Sequence, residues 1–189
     1  AYELTSSLVG SEMCIRDSRD EHLNGYDDYK RSCHSGCLHV PLVIAGPGWR
    51  GGRRIKNLVS TASLPKTWLA MAEIDVGDGM IGEDLRDVAD GRTAGRREEI
   101  YAQISESRVG RCIRTPEYLY AVYAPGMDGR EAGRSDVYRD DFLYDLRKDP
   151  YELVNVVYEE EYRAVRDEMA ERLLALMEEA GESGARIQL

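Results

Sequence analysis

The residues that could carry acid–base or metal chemistry are concentrated before the first strongly apolar segment of the chain. His22, His34 and His39 lie there together with Lys30 and several carboxylates. Ligands of open α/β sheets gather in loops at strand ends, so a site is expected in this region. Histidine and carboxylate groups are suitable metal ligands, but no pair here has a diagnostic spacing. Structural and functional roles both stay open for His34, whereas a structural role is favoured for His22 and His39.

The cysteines do not form a diagnostic motif. Cys14, Cys33, Cys37 and Cys112 fit neither paired zinc knuckles nor a dense disulfide scaffold. Cys33 and Cys37 could form a redox pair, although this spacing is a weak signal and buried free thiols are common. Cys112 lies in a strand pattern and is expected in the core. The redox compartment therefore stays open.

Composition limits the class of protein. A chain of 189 residues with 42% hydrophobic and 32% charged residues suits one globular domain or a subdomain of something larger. The formal charge of -10 argues against a nucleic-acid partner, because phosphate binding needs a concentrated basic surface. No apolar run approaches the roughly 20 residues of a transmembrane helix, so no membrane partner is predicted.

Apolar patterning predicts the elements that would position the polar residues. Segment 37–48 is apolar, rich in branched residues and closed by Gly-Pro-Gly, which is typical of a buried strand ending in a turn. Helical spacing over 60–74 predicts a short helix packed on that sheet. One helical turn is expected at 83–88, within a glycine-rich connection.

The second half of the chain changes to alternating periodicity. Four strands are predicted, at 99–105, 109–115, 118–124 and 141–146. Their short connections favour antiparallel neighbours. Segment 160–180 is predicted to be an amphipathic helix that closes over the small sheet. Its apolar residues, at steps of three and four, are Tyr162, Val165, Met169, Leu173 and Leu176.

Four segments, in order along the chain, resemble motifs of the sulfatase family. Segment 30–48, KRSCHSGCLHVPLVIAGPG, resembles a family segment in which a lysine precedes an apolar strand ending in Pro-Gly. Segment 58–69, LVSTASLPKTWL, is similar to a family helix, and 113–120, IRTPEYLY, to a family strand. Segment 142–155, FLYDLRKDPYELVN, resembles the family ending "eLYDLekDPxExxN". Each match is modest alone, and their shared order makes them specific together.

The resemblance implies an α/β fold. A partial alkaline-phosphatase-like sheet would be followed by a small antiparallel four-stranded sheet with a C-terminal helix. The implied chemistry is hydrolysis of sulfate esters by a formylglycine, made from a Cys-x-Pro/Ser-x-Arg motif, with a calcium ion. Lys30 matches the family's sulfate-binding lysine, whose charge would neutralise a substrate oxygen. His34 is expected to line the same pocket. The implied partner is a sulfated small molecule or carbohydrate.

The sequence departs from the family pattern at the catalytic positions. None of its cysteines begins the formylglycine motif, and the Asp-His-Gly strand end expected just ahead of Lys30 is absent. Ser35 stands where the family usually has an acidic residue, and His39 where it usually has Arg. We therefore expect a C-terminal part of a sulfatase, inactive alone, whose partner is the missing N-terminal half. A phosphodiesterase or phosphonate hydrolase of the same superfamily, or a non-catalytic binding domain, are the alternatives.

Residues 7–18, SLVGSEMCIRDS, resemble a translated sequencing adapter. An ordinary polar leader is the alternative, and sequencing the locus from independent DNA distinguishes the two. The predicted organisation is a non-native leader at 1–18, the end of the sulfatase α/β core at 19–97, and a C-terminal subdomain at 98–189.

Overall fold

The computed structural model describes residues 32–46, 48–49, 51–75, 77–96, 98–105 and 108–188. They divide into two compact units. We call residues 42–100 the helical unit, and the described residues of 32–41 and 101–188 the sheet unit. The predicted leader at 1–18 lies outside the described residues, and the boundary predicted at 97 stays a prediction.

The sheet unit is built on five strands in the order β1-β2-β3-β4-β5. They are β1 (Ile100–Ser105), β2 (Val109–Arg114), β3 (Tyr118–Tyr123), β4 (Val137–Asp145) and β5 (Arg186–Gln188). β2, β3 and β4 pair antiparallel, whereas β4 and β5 pair parallel. The four strands predicted from alternation are confirmed. The sheet also has a fifth strand, β5, which pairs with Val137–Arg139. It was not predicted because three residues are too few to show a period.

One face of the sheet packs against the C-terminal helix. This helix, α4 (Arg163–Glu179), follows a 3-10 turn at Glu160–Tyr162. Met169, Leu173 and Met177 are at most 1% exposed and belong to the same core cluster as the inward residues of β2, β3 and β4. Full burial of such side chains stabilises the fold by about 1.5–3 kcal/mol each. The predicted amphipathic helix is confirmed, with Val165 and Leu176 half-buried beside this core.

The opposite face of the sheet is covered by the segment 32–38, which contains the one-turn helix α1 (Ser35–Leu38). Cys33 belongs to a second apolar cluster with residues of β2, β3 and β4. The remaining buried members are Cys112, Leu119, Ala121, Phe142, Tyr144 and Leu146. Because both faces are covered, β2 is buried at five of its six positions instead of alternating in burial.

The helical unit is organised around one buried threonine. Its helices are α2 (Leu64–Met71), which follows a 3-10 turn at Thr61–Ser63, and α3 (Leu85–Ala89); a further 3-10 turn spans Gly77–Gly79. The Thr67 hydroxyl donates to the Ser63 carbonyl at 2.7 Å and accepts from the Leu85 amide at 3.0 Å. This side chain therefore ties the two helices together. The helices predicted at 60–74 and 83–88 are confirmed; α2 is shorter than predicted, and α3 begins two residues later and ends one residue later than predicted.

The strand predicted in segment 37–48 is not present in the structure. Val40, Leu42 and Val43 are 45%, 40% and 91% exposed, and the described part of the chain has no strand outside the five-stranded sheet. A strand needs hydrogen-bonded neighbours, and among the described residues this segment pairs with no strand. The expected packing of α2 on such a strand is absent for the same reason, and Trp68 of α2 is 58% exposed.

No helix in the described ranges is long and apolar enough to cross a bilayer. The helices and strands of the described residues together form an α/β fold with a mostly antiparallel sheet.

Candidate functional site

Of the three histidines and the lysine singled out from the sequence, the structure describes two. His34 and His39 belong to the described residues, whereas Lys30 and His22 lie outside them. His39 is exposed at the end of α1. His34 is only 5% exposed, although it directly precedes α1. A buried, hydrogen-bonding side chain in that position makes the surroundings of His34 the candidate site.

His34 is fixed on the sheet by contacts to its ring. Its Nδ1 lies 3.0 Å from the Ser32 hydroxyl, and its Nε2 lies 3.1 Å from the Tyr144 hydroxyl. The ring is tilted against Phe142, with centroids 4.2 Å apart. A neutral imidazole has one donor and one acceptor nitrogen, and a hydroxyl can bond to either. The two hydroxyls therefore engage both ring nitrogens of His34. This arrangement orients the segment, and His34 would have to exchange a partner to act as an acid or base.

Glu152 holds the start of α1 from the other side. The Ser35 amide donates to Glu152 Oε2 at 2.9 Å, and Arg114 Nη1 lies 3.5 Å from Glu152 Oε1. Arg114 also donates to the Ser35 hydroxyl. Ser35 thus accepts a charged hydrogen bond at the position where the family usually has an acidic residue. We call His34, Ser35, Arg114, Tyr144 and Glu152 the anchor cluster.

The backbone at Glu152 is strained. Its φ is +59°, a left-handed conformation that costs a non-glycine residue roughly 1 kcal/mol or more. Its side chain is nevertheless buried, with 7% of the residue exposed. The hydrogen bonds to Ser35 and Arg114 offset this cost, because charge-assisted hydrogen bonds are among the stronger ones. The strain is therefore maintained by contacts to Ser35 in the segment 32–38 and to Arg114 in β2.

The turn after β4 presents Glu152 through side chains that bond to the backbone. Asp149 Oδ2 accepts from the amides of Leu153 and Val154 at 2.7 and 2.8 Å. Asn155 Oδ1 accepts from the Leu143 amide at 3.0 Å. Asp149, Glu152 and Asn155 are the "DPxExxN" residues of the ending motif. The motif could have indicated this contact from the sequence, but the sequence analysis assigned no role to Glu152.

A separate depression lies within the helical unit. Its lining carries three carboxylates, from Glu73, Asp75 and Asp84, beside one cation, Lys66. This charge balance does not suit a sulfate ester, which needs cations around its oxygens.

Metal ligands are not clustered in the described ranges. No group of three or more His, Cys, Asp or Glu side chains there could hold a metal ion. A calcium site therefore cannot be assigned to these residues, which do not fit the ion.

Comparison with known proteins gives consistent matches. The family described as "N-sulphoglucosamine sulphohydrolase, C-terminal" matches residues 21–179. Arylsulfatase K of Gallus gallus is 28% identical over 139 residues, which covers 68% of this chain and 24% of that protein. The chain thus spans about a quarter of the length of the curated relatives it matches.

Solved structures share the fold. A putative sulfatase from Bacteroides thetaiotaomicron VPI-5482 superposes with a TM-score of 0.57 at 22% identity, covering 73% of this chain and 29% of that one. A protein solved in complex with its substrate D-glucosamine-2-N,6-O-disulfate gives a TM-score of 0.53 at 19% identity, covering 67% of this chain and 26% of that one. At these identities the likeness concerns the fold alone.

Proposed function

This chain belongs to the N-sulphoglucosamine sulphohydrolase C-terminal family of sulfatases, and from that membership we propose that it is the C-terminal part of an enzyme that hydrolyses sulfate esters. The observation that carries the proposal is the family match over residues 21–179. The ordered motifs and the sulfatase-like fold support it. The substrate class we propose is a sulfated small molecule or carbohydrate, as for the structural neighbour that binds a sulfated glucosamine.

Lys30 is the residue we propose to bind the sulfate group. A cation that stabilises charge developing on sulfate oxygens must be held in a fixed place, since small displacements reduce catalysis strongly. Lys30 precedes Ser32 by two residues, and the anchor cluster fixes the segment that begins there. His34 would then orient the lysine by holding this segment on the sheet, which is a positioning role.

We propose that the chain is inactive alone. The formylglycine and the calcium ligands would come from the N-terminal half of the parent enzyme, its partner in the proposal. In that enzyme calcium would supply positive charge for the sulfate oxygens. A single lysine cannot supply transition-state stabilisation by itself.

The first experiment measures hydrolysis of 4-nitrophenyl sulfate and glucosamine 6-O-sulfate by the purified chain. We expect no turnover above buffer. Turnover that Lys30→Ala abolishes would overturn the proposed inactivity.

The second experiment restores the natural upstream reading frame and assays the resulting enzyme. We expect sulfate-ester hydrolysis, with Lys30→Ala lowering kcat/KM about 100- to 1,000-fold. The exposed Lys56→Ala is the matched control and should leave kcat/KM unchanged. Faster hydrolysis of bis(4-nitrophenyl) phosphate than of the sulfate ester would instead favour a phosphodiesterase, and no hydrolysis of either would favour a binding domain.

A further inference from the structure

Two cysteines meet on the face of the sheet opposite α4. Cys33 is 5% exposed and Cys112 is 1% exposed, and both belong to the same apolar cluster. Both side chains pack in this cluster as free thiols. Cys33 precedes α1, whereas Cys112 lies in the middle of β2. The contact therefore joins the covering segment to the sheet itself.

Gly110 locates the Cys33 sulfur beside the face of β2 that carries Cys112. Gly110 and Cys112 are two residues apart in β2, so they lie on the same face of the strand. A Cβ at Gly110 would lie 3.7 Å from Cys33 Sγ, so the sulfur occupies the space above this glycine. A larger side chain there would compete with the sulfur for this space.

We propose that Cys33 and Cys112 form an intramolecular disulfide that fastens the segment 32–38 to β2. The oxidant is a small-molecule disulfide such as oxidised glutathione. One protein thiolate attacks it and releases one small thiol, and the second protein thiolate then displaces the other. The two protein thiols thereby lose two protons and two electrons, and the small disulfide is reduced to two thiols.

The surroundings determine when this reaction can occur. The hydrogen bond with Cys33, together with burial, raises the pKa of the Cys112 thiol well above its usual range. Little thiolate is then present at neutral pH, and the small disulfide has little access to either sulfur. The bond should form readily during folding and only slowly in the folded protein. Once closed, it should be equally slow to be reduced.

Among the described residues, the alternative partner of Cys33 is Cys37, at the third residue of α1. A bond between them would cross-link only the covering segment and would leave β2 unattached. A bond to Cys112 closes a chain loop from residue 33 to residue 112, and long loops lose much conformational entropy when cross-linked. The two pairings therefore predict different thermal stabilities.

The test uses the full chain with Cys14→Ser and Cys37→Ser, which keeps only Cys33 and Cys112. The matched control, with Cys14→Ser and Cys112→Ser, keeps Cys33 and Cys37. Both are unfolded in denaturant and refolded in a glutathione redox buffer, and their masses and melting temperatures are compared with the reduced forms. We expect the first variant to lose two hydrogens per chain and to melt roughly 5–15 °C higher than its reduced form. The control should not gain stability.

The unmodified chain provides a second measurement that does not depend on the variants folding. After the same oxidative refolding, a non-reducing peptide map should show a peptide pair linked through Cys33 and Cys112. A map with Cys33 linked to Cys37, or with both thiols still reduced, would overturn the proposal. So would oxidation of the first variant that lowers its melting temperature.

Discussion

Arg111 is the charged residue whose removal should cost the sheet unit most. It lies in β2 and is 1% exposed. Its Nε lies 2.8 Å from Oε1 and 3.0 Å from Oε2 of Glu182. Glu182 lies three residues beyond the end of α4. Its Nη1 and Nη2 donate to the carbonyls of Gly110 and Gly133 at 2.8 and 2.7 Å. One buried guanidinium thus ties β2 to two loops.

The perturbation is Arg111→Met, which keeps much of the side-chain length and removes the charge. Glu182 would then stay largely buried, and among the described residues the hydroxyls of Tyr101 and Tyr138 would still donate to it. Breaking a buried ion pair on one side typically costs about 3–5 kcal/mol, because the remaining charge is uncompensated. We expect the free energy of unfolding of the sheet unit to fall by about that amount.

The assay is a double-mutant cycle by urea unfolding, followed by circular dichroism. Glu182→Met and the double variant with Arg111→Met complete the cycle. The double variant should lose about 2 kcal/mol less than the sum of the single losses, since neither charge is then left alone. Arg130→Met, in an exposed pair with Asp128, is the control and should not change the midpoint. Strictly additive losses for Arg111 and Glu182 would refute the ion-pair reasoning.

Three further changes test the packing, the backbone and the electrostatics. Leu173→Ala in α4, at a fully buried position, should reduce the free energy of unfolding by about 2–5 kcal/mol in urea. Gly82→Ala should lower the melting temperature more than Gly77→Ala. Both have positive φ, but only at Gly82 would the new Cβ meet backbone, at 2.7 Å; equal losses would contradict this account. The hydrogen bond from Arg86 lowers the pKa of Asp84. The charge of Asp84 therefore stabilises the fold above the unfolded pKa of about 4, and that contribution is lost as the solution becomes more acidic. The melting temperature of Asp84→Asn, which keeps the cap acceptor, should therefore fall less steeply than that of the wild type between pH 5 and pH 3.

Local sequence patterns predicted those elements that are long enough for their own apolar residues to show a period. The strands β1 to β4 and the helix α4 each have enough residues to show a period of two or of about 3.6. The strand expected within 37–48 shows the opposite case. Its apolar run has the composition of a buried strand, but a strand forms only with neighbours, and these are absent from the described residues.

The anchor cluster could not be predicted from local patterns because its contacts are long-range. Ser35 and Glu152 are 117 positions apart in the chain, and His34 and Tyr144 are 110 apart. A left-handed glutamate is unfavourable by local preference, so its occurrence depends on the contacts that hold it. If the anchor fixes the segment that follows Lys30, Glu152→Gln in the restored enzyme should lower kcat more than Glu159→Gln, an exposed control in the same loop. Equal activity of the two variants, with Glu152→Gln still folded, would show that the anchor stabilises the sheet unit without positioning the lysine.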